Sequence, residues 1–488
     1  MKLPTFLPMF FCRASLLFAL GGLVIACQED SSTTSASAYL GGEIINPKDR
    51  TVYITTTDAR AIDTLTLDDR NRFLYKFDSL VPGLYSFRLS AADGLEHQIV
   101  LVEPNDSIML RLNTLEFDES LVYTGKGAKK NNYLINLFLE SEQDDKKVLG
   151  FSQLSPKAFE AHVDSMKALK LKALKKFSSE NTVSKRFINL IETNINYDYY
   201  LSKEVYPFVN YSSSERNIIK SLPESFYAYR TDIDYSIQNV RDYFPYYPFL
   251  KHHFENLALT EHFKTSNDSI LNRKCLGYNL TRLKLIDSLV KNDDMKNQLL
   301  INTAIEFISD NKNVKDYDSL LVSFKAKSTD RYHTDYLNNI VASLKVLKPG
   351  NKLPKLYVYD IDNNTHTLNQ LVKNKPTVMY FWRQSYLRHY QDSHKKIEEL
   401  KVKYPEINFV ALNINETSSQ AWKDHLKQYK YPTKSEYLFV DPKKAKQDLA
   451  IYPINKVILL DNQGKIINAQ TNMFSLHFEK QLLEALNQ

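Results

Sequence analysis

What this 488-residue chain lacks most is usable cysteine. Of its three cysteines, Cys12 and Cys27 lie near the front, and only Cys275 remains in the body of the chain. One thiol forms no intramolecular disulfide and runs no dithiol cycle by itself, so the fold is not stapled. The flanking Arg273 and Lys274 favour a thiolate, but a free, partly buried structural cysteine is the expectation. Glycine is scarce too: 12 residues against 31 Tyr, 26 Phe and 2 Trp, a balance that favours long helices and aromatic packing. Histidine clusters once in the middle of the chain, as His252, His253 and His262. No pair there has the i, i+3 or i, i+4 spacing of a helical metal site, so no metal and no cofactor is expected. The net charge of +6 is spread along the chain and gives no footprint for nucleic acid.

At the front, Lys2 and Arg13 precede an apolar run from Leu16 to Ala26 that stops at Cys27. The run is shorter than the ~20 residues of a membrane-spanning helix and reads as a secretory signal over residues 1–26. Leu23-Val24-Ile25-Ala26-Cys27 resembles a bacterial lipobox. That resemblance implies cleavage before Cys27 and acylation of its thiol, hence a membrane partner through a lipid anchor. Residues 27–38 then form a polar tether. Gln28, Glu29 and Asp30 resemble the export signals of some outer-membrane lipoproteins. The expected location is the cell envelope, anchored to the outer membrane.

Three regions follow, predicting a multidomain α+β chain. Over 39–125, Phe73-Tyr75-Phe77, Tyr85-Phe87-Leu89 and Ile108-Leu110-Leu112 alternate with period two, with turn residues such as Pro82-Gly83 between them. Short strands at this spacing predict an antiparallel β-sandwich. Over 126–347 the period becomes helical. Ser155-Pro156 supplies an N-cap and a Pro at the first helical position. Phe159, Val163, Met166 and Ala173 share one stripe, and Ile301, Ala304, Ile305 and Ile308 another. A helical bundle is expected. The tyrosines at 197, 199, 200, 243, 246 and 247 read either as core with hydroxyls at the rim or as a recognition surface.

Over 348–488 the order is β-α-β-α and then β-β-α. The buried-type strands are Pro376 to Trp382 and Ile407 to Ile414, and Val457 to Asp461 pairs with Lys465 to Asn468 across Asn462-Gln463-Gly464. With Gly350 and Pro354 ahead of the first strand, Phe381-Trp382, and Leu459-Leu460-Asp461-Asn462-Gln463-Gly464-Lys465-Ile466, the segment resembles TlpA/ResA-like envelope thioredoxins. The front β-region likewise resembles the domain that often precedes them in lipoproteins. The resemblance implies a thioredoxin-like α/β domain with a Cys-x-x-Cys pair at positions 386 and 389. Those positions hold Tyr386 and His389; His394 stands for the kinking proline and Asn455 for the cis-proline, with Pro453 two residues away.

Disulfide exchange needs a thiolate and a second sulfur to resolve the mixed disulfide. Tyrosine, with a pKa of about 10, and histidine supply neither. No catalytic residue is therefore assigned. Arg383 and Arg388, near a helix N-terminus, are candidate anion-binding residues, although solvated surface side chains are the plainer reading. The expected function is a binding or scaffold lipoprotein with a redox-inactive thioredoxin-like domain and a peptide or protein partner. The alternative is a thiol-disulfide oxidoreductase with a non-standard site built on Cys275.

Overall fold

The computed structural model describes residues 37–91, 94–237, 245–310, 313–372 and 374–486. The signal segment 1–26, Cys27, nearly all of the tether and Tyr243 lie outside the described residues.

Eight strands come first: β1 (Ala38–Ile45), β2 (Thr51–Thr56), β3 (Ala61–Thr66), β4 (Arg72–Phe77), β5 (Gly83–Ala91), β6 (Gly94–Val102), β7 (Ser107–Asn113) and β8 (Val122–Lys126). They form two sheets, ordered β4-β1-β7-β8 and β3-β2-β5-β6. Leu40, Ile44, Val52, Ile54, Phe87, Val100 and Ile108 fill the space between them. Each such burial contributes about 1.5–3 kcal/mol against exposure. The pairing is antiparallel except between β1 and β7, which run parallel. A wholly antiparallel sandwich is thus corrected at its centre. Gly42 sits at that contact, where a Cβ would come 2.2 Å from the Leu110 carbonyl oxygen.

Nine helices follow among the described residues: α1 (Ala128–Phe151), α2 (Pro156–Glu180), α3 (Lys185–Val209), α4 (Glu215–Ser221), α5 (Tyr246–Thr265), α6 (Leu276–Leu289), α7 (Asp293–Asp310), α8 (Val314–Lys325) and α9 (Arg331–Val346). None is long and apolar enough to cross a membrane. Pro156 does open α2, but the Ser155 side chain makes no capping hydrogen bond. Phe159 and Val163 are buried as expected. The stripe then continues through Lys170 and Leu174 while Ala173 is exposed, because at 3.6 residues per turn Lys170 and Leu174 each return to within about 20° of Val163 around the helix, whereas Ala173 lies about 80° away. Ile301, Ala304, Ile305 and Ile308 are all buried. The described tyrosines pack inward: Tyr197 lies edge-on to Tyr246 at 4.8 Å, and Tyr200 stacks on Tyr229 at 4.2 Å. The Tyr197 and Tyr246 hydroxyls both donate to the Asp234 carbonyl.

The last region carries β9 (Tyr357–Tyr359), β10 (Thr365–Thr367), β11 (Thr377–Trp382), α10 (Leu387–Lys403), β12 (Asn408–Asn413), α11 (Ser419–Tyr429), β13 (Glu436–Phe439), α12 (Pro442–Asp448), β14 (Lys456–Leu460), β15 (Ile466–Asn472) and α13 (Phe478–Leu486). The sheet order is β10-β9-β13-β12-β11-β14-β15. β11 and β12 run parallel, and β14 pairs antiparallel with β11. Every residue of β11 is buried, which is why it reads as one apolar run: both faces of the sheet are covered. Val378, Tyr380 and Trp382 face α10, α11 and α13. Met379 and Phe381 join a core continuous with the helical region. Gln470 of β15 reinforces that junction, donating to the Tyr317 hydroxyl at 2.8 Å and the Ile308 carbonyl at 3.3 Å.

Candidate functional site

β11 ends at Trp382, and Arg383 to Tyr386 carry the chain over the sheet edge into α10. The crossing is pinned from beside it. Gln384 N–H donates to Asn415 Oδ1 at 3.0 Å, and Asn415 Nδ2 returns a bond to Gln384 Oε1 at 3.3 Å. Tyr386 occupies the N-cap position with φ −116° and ψ 69° and offers no side-chain cap. Its ring is nearly half exposed and carries the Arg383 guanidinium 3.5 Å above its centroid, a cation–π contact.

His389 lies one turn further on, edge-on to Phe474 at 5.8 Å. The Ser393 hydroxyl donates to its carbonyl at 2.6 Å. Burial, helped by the charges of His394 and Arg383, pulls the His389 imidazole down to about 4. It is therefore neutral at pH 7 and poorly suited to hold a proton there. Arg388 points away into an exposed i, i+4 pair with Asp392 at 3.9 Å. The two arginines thus have separate attachments, Arg383 to Tyr386 and Arg388 to Asp392.

The one cysteine among the described residues is elsewhere. Cys275 is the N-cap of α6, half-buried against the small cluster of Ala258, Leu259, Leu271 and Tyr278 in the helical region. Asn455 requires a correction. Among the described residues the cis peptide bond is Tyr452–Pro453, so position 455 is not the cis position. Pro453 opens a tight turn, its carbonyl accepting from Lys456 N–H at 3.1 Å, and counting back from Asp461 does not resolve a shift inside such a turn.

Behind α10 lies an arrangement that sequence spacing did not reveal. His394 is buried, with Nδ1 2.7 Å from the Tyr390 carbonyl and Nε2 2.8 Å from Glu436 Oε1. Trp382 Nε1 donates to the other Glu436 oxygen at 3.0 Å. A carbonyl can only accept, so Nδ1 carries a proton and donates to Tyr390. Around this pair stand Tyr390, His425 and Tyr431. No signal in the sequence couples residues 42 positions apart; a glutamate opening a buried strand was the one available hint.

Among the described residues, no group of three or more His, Cys, Asp or Glu is placed to hold a metal ion. Chemically, the start of α10 offers a phenol, a neutral imidazole and two guanidinium groups, but no nucleophilic sulfur.

Several solved structures are similar to part of this chain. A solved structure assigned as a thiol-disulfide oxidoreductase from Bacteroides vulgatus is 23% identical over 29% of this chain and 98% of its own, with a TM-score of 0.25. A thiol-disulfide oxidoreductase from Bacteroides fragilis is 16% identical over 28% of this chain and 99% of its own, with a TM-score of 0.23. The pneumococcal exposed lipoprotein thioredoxin from Streptococcus pneumoniae is 16% identical over 28% of this chain and 98% of its own, also at 0.23. No curated protein matches the chain. Residues 374–466 match a family model described as thioredoxin-like, and with the β11–α10 crossing and the mixed sheet this makes the C-terminal region a thioredoxin-like domain.

Proposed function

We propose that the chain is a lipid-anchored protein of the outer membrane whose thioredoxin-like domain binds or scaffolds a peptide or protein partner and performs no dithiol exchange. The observation that carries this reading is the start of α10, where Tyr386 and His389 stand and no sulfur is present. A helix N-terminus activates a thiol by stabilising its thiolate; with a phenol and a neutral imidazole there, nothing is left for it to activate. Thioredoxin folds hold extended peptides beside this helix, which is an argument from fold alone. The anchor rests on the lipobox-like Leu23 to Cys27 and the short apolar run before it.

Insulin reduction and mixed-disulfide trapping on the full chain test the redox half. The expected outcome is no turnover above background, unchanged in Cys275→Ser. Turnover that disappears in Cys275→Ser would overturn the proposal in favour of an oxidoreductase with an unusual site. Metabolic labelling with a fatty acid, lost in Cys27→Ser, is the expected result for the anchor.

A further inference from the structure

The sheet β4-β1-β7-β8 buries alternate residues in the sandwich core and turns the others outward. A solvated sheet face normally carries polar side chains. On this one Leu74 is 59% exposed, Val122 53% and Tyr39 37%.

The strand registers order the outward residues into rows. In the middle row Leu74 stands beside Gly41, Gly41 beside Met109 and Met109 beside Thr124. A Cβ on Gly41 would come 3.0 Å from Leu74 Cδ1 and 3.2 Å from Met109 Sδ, so these two side chains close over the glycine into one apolar ridge. On one side of the ridge the row reads Lys76, Tyr39, Ser107, Lys126; on the other it reads Arg72, Glu43, Arg111, Val122. Arg72 is paired with Glu43 at 3.3 Å and Lys76 with Asp78 at 2.6 Å. Arg111 and Lys126 are exposed and make no ion pair among the described residues. An apolar ridge is thus flanked on both sides by cations, one uncommitted on each side. The chain also arrives at this face: β1 starts at Ala38, and Tyr39 is its first outward side chain.

We propose that this face lies against anionic phospholipid headgroups of the leaflet that holds Cys27, an inference that rests on the lipid anchor proposed above. Residues 28–37 separate Cys27 from β1 and reach at most about 35 Å when fully extended, which keeps the sheet close to the bilayer. The ridge, with Tyr39 and Val122 beside it, enters the headgroup boundary, where phenol and apolar side chains are favoured. Arg111 and Lys126 meet lipid phosphates, each cation near such a surface adding to binding. The tether makes this second contact intramolecular, so even a modest affinity orients the anchored protein. A second copy of the chain suits the face poorly. Stacking would set four exposed cations against four, with Glu43 the single acid on these rows.

Co-sedimentation with vesicles tests the inference. The protein used is the chain from residue 28 onward, which keeps every described residue and carries no acyl group. Vesicles of phosphatidylglycerol and phosphatidylcholine in equal parts are compared with phosphatidylcholine alone. Saturable binding to the anionic vesicles is expected, at least about tenfold weaker with the neutral vesicles or at high salt. The double variant Arg111→Gln, Lys126→Gln is expected to bind about tenfold more weakly or worse, and Leu74→Ser to bind more weakly than wild type. These side chains are exposed, so Tm should stay unchanged. The control pair Lys172→Gln, Lys175→Gln, exposed on α2, should bind as wild type does. Absence of binding to anionic vesicles overturns the proposal, and so does an equal loss in the α2 pair. A dimer in sedimentation velocity that Leu74→Ser abolishes would give the face to a second copy and also overturn it. Fatty-acid labelling reports on the anchor separately. Label without vesicle binding keeps the anchor and removes the face; vesicle binding without label keeps the face and removes the anchor.

Discussion

Glu204 in the helical region and Glu436 in the thioredoxin-like domain are both buried carboxylates, and each is bonded by a buried histidine. Their company differs. Glu204 on α3 receives Arg230 Nε at 3.0 Å, the Tyr229 hydroxyl at 2.8 Å and His253 Nδ1 at 2.7 Å. Burial pushes its carboxyl up, but Arg230 and His253 outweigh that and hold it below the ordinary carboxylate range. Among the described residues, Glu436 has His394 and the Trp382 indole but no guanidinium, and the nearby Tyr390 hydroxyl and His425 Nε2 have no hydrogen-bond partner. The first cluster is closed, with a full charge committed to the carboxylate. The second is held by one imidazole and one indole N–H. The contrast separates a clamp that ties α3, α5 and the 224–232 turn together from a polar pair placed where α10 meets β13.

The largest effect should come from breaking the clamp. Glu204→Ala leaves Arg230 charged and mostly enclosed, and loss of one partner of a buried pair costs about 3–5 kcal/mol; urea unfolding measures it, and a cost under ~1 kcal/mol would sink the contrast. Glu436→Gln strands no guanidinium, so about 1–3 kcal/mol is expected for the lost charged hydrogen bond. Trp382 emission, which senses the indole's partner, should shift as well. A Glu436→Gln cost equal to that of Glu204→Ala would erase the distinction drawn above.

The smallest effect concerns His389 and depends on pH. Its folded pKa is depressed from 6.5 to about 4 by burial first and nearby positive charge second. The unfolded chain therefore takes up a proton at a higher pH than the folded one. The contribution of neutral His389 is fully present above 6.5 and is lost as pH falls towards about 4. Ring-proton NMR should place its midpoint well under 6.5, and His389→Leu should flatten the decline of Tm across that window. A midpoint at the ordinary histidine value would refute the burial argument.

Much of the fold could be read in advance, for reasons visible in single elements. β11 is covered on both faces, so Thr377 to Trp382 read as an uninterrupted apolar strand. Ile301, Ala304, Ile305 and Ile308 kept helical spacing although most of α7 is enclosed, Leu300, Thr303 and Phe307 being buried as well. α12 was missed, since only Ala445 of Pro442–Asp448 is buried and the rest reads as a polar loop. Its signal was present in the Asp441 cap, which accepts from Lys444 N–H at 2.9 Å, and in Pro442 at the first helical position. At the site, the start of the helix after Trp382 was legible from the strand-to-helix order, and Tyr386 stands there as the N-cap of α10. Asn455 was not placed correctly, because a turn lies between it and the nearest landmark. The parallel β1–β7 pair carries no local mark at all: direction is decided by five intervening strands, not by either sequence.

That parallel pair has a mechanical consequence. β1, the first described strand, is an interior strand, laddered to β4 over Ala38 to Glu43 and to β7 over Tyr39 to Ile45. Tension arriving along the chain at residue 37 and directed down the strand loads both ladders in shear. Many hydrogen bonds must then slip together, whereas an edge strand pulled sideways peels one bond at a time. Resistance to such pulling is governed by the unfolding rate rather than by equilibrium stability.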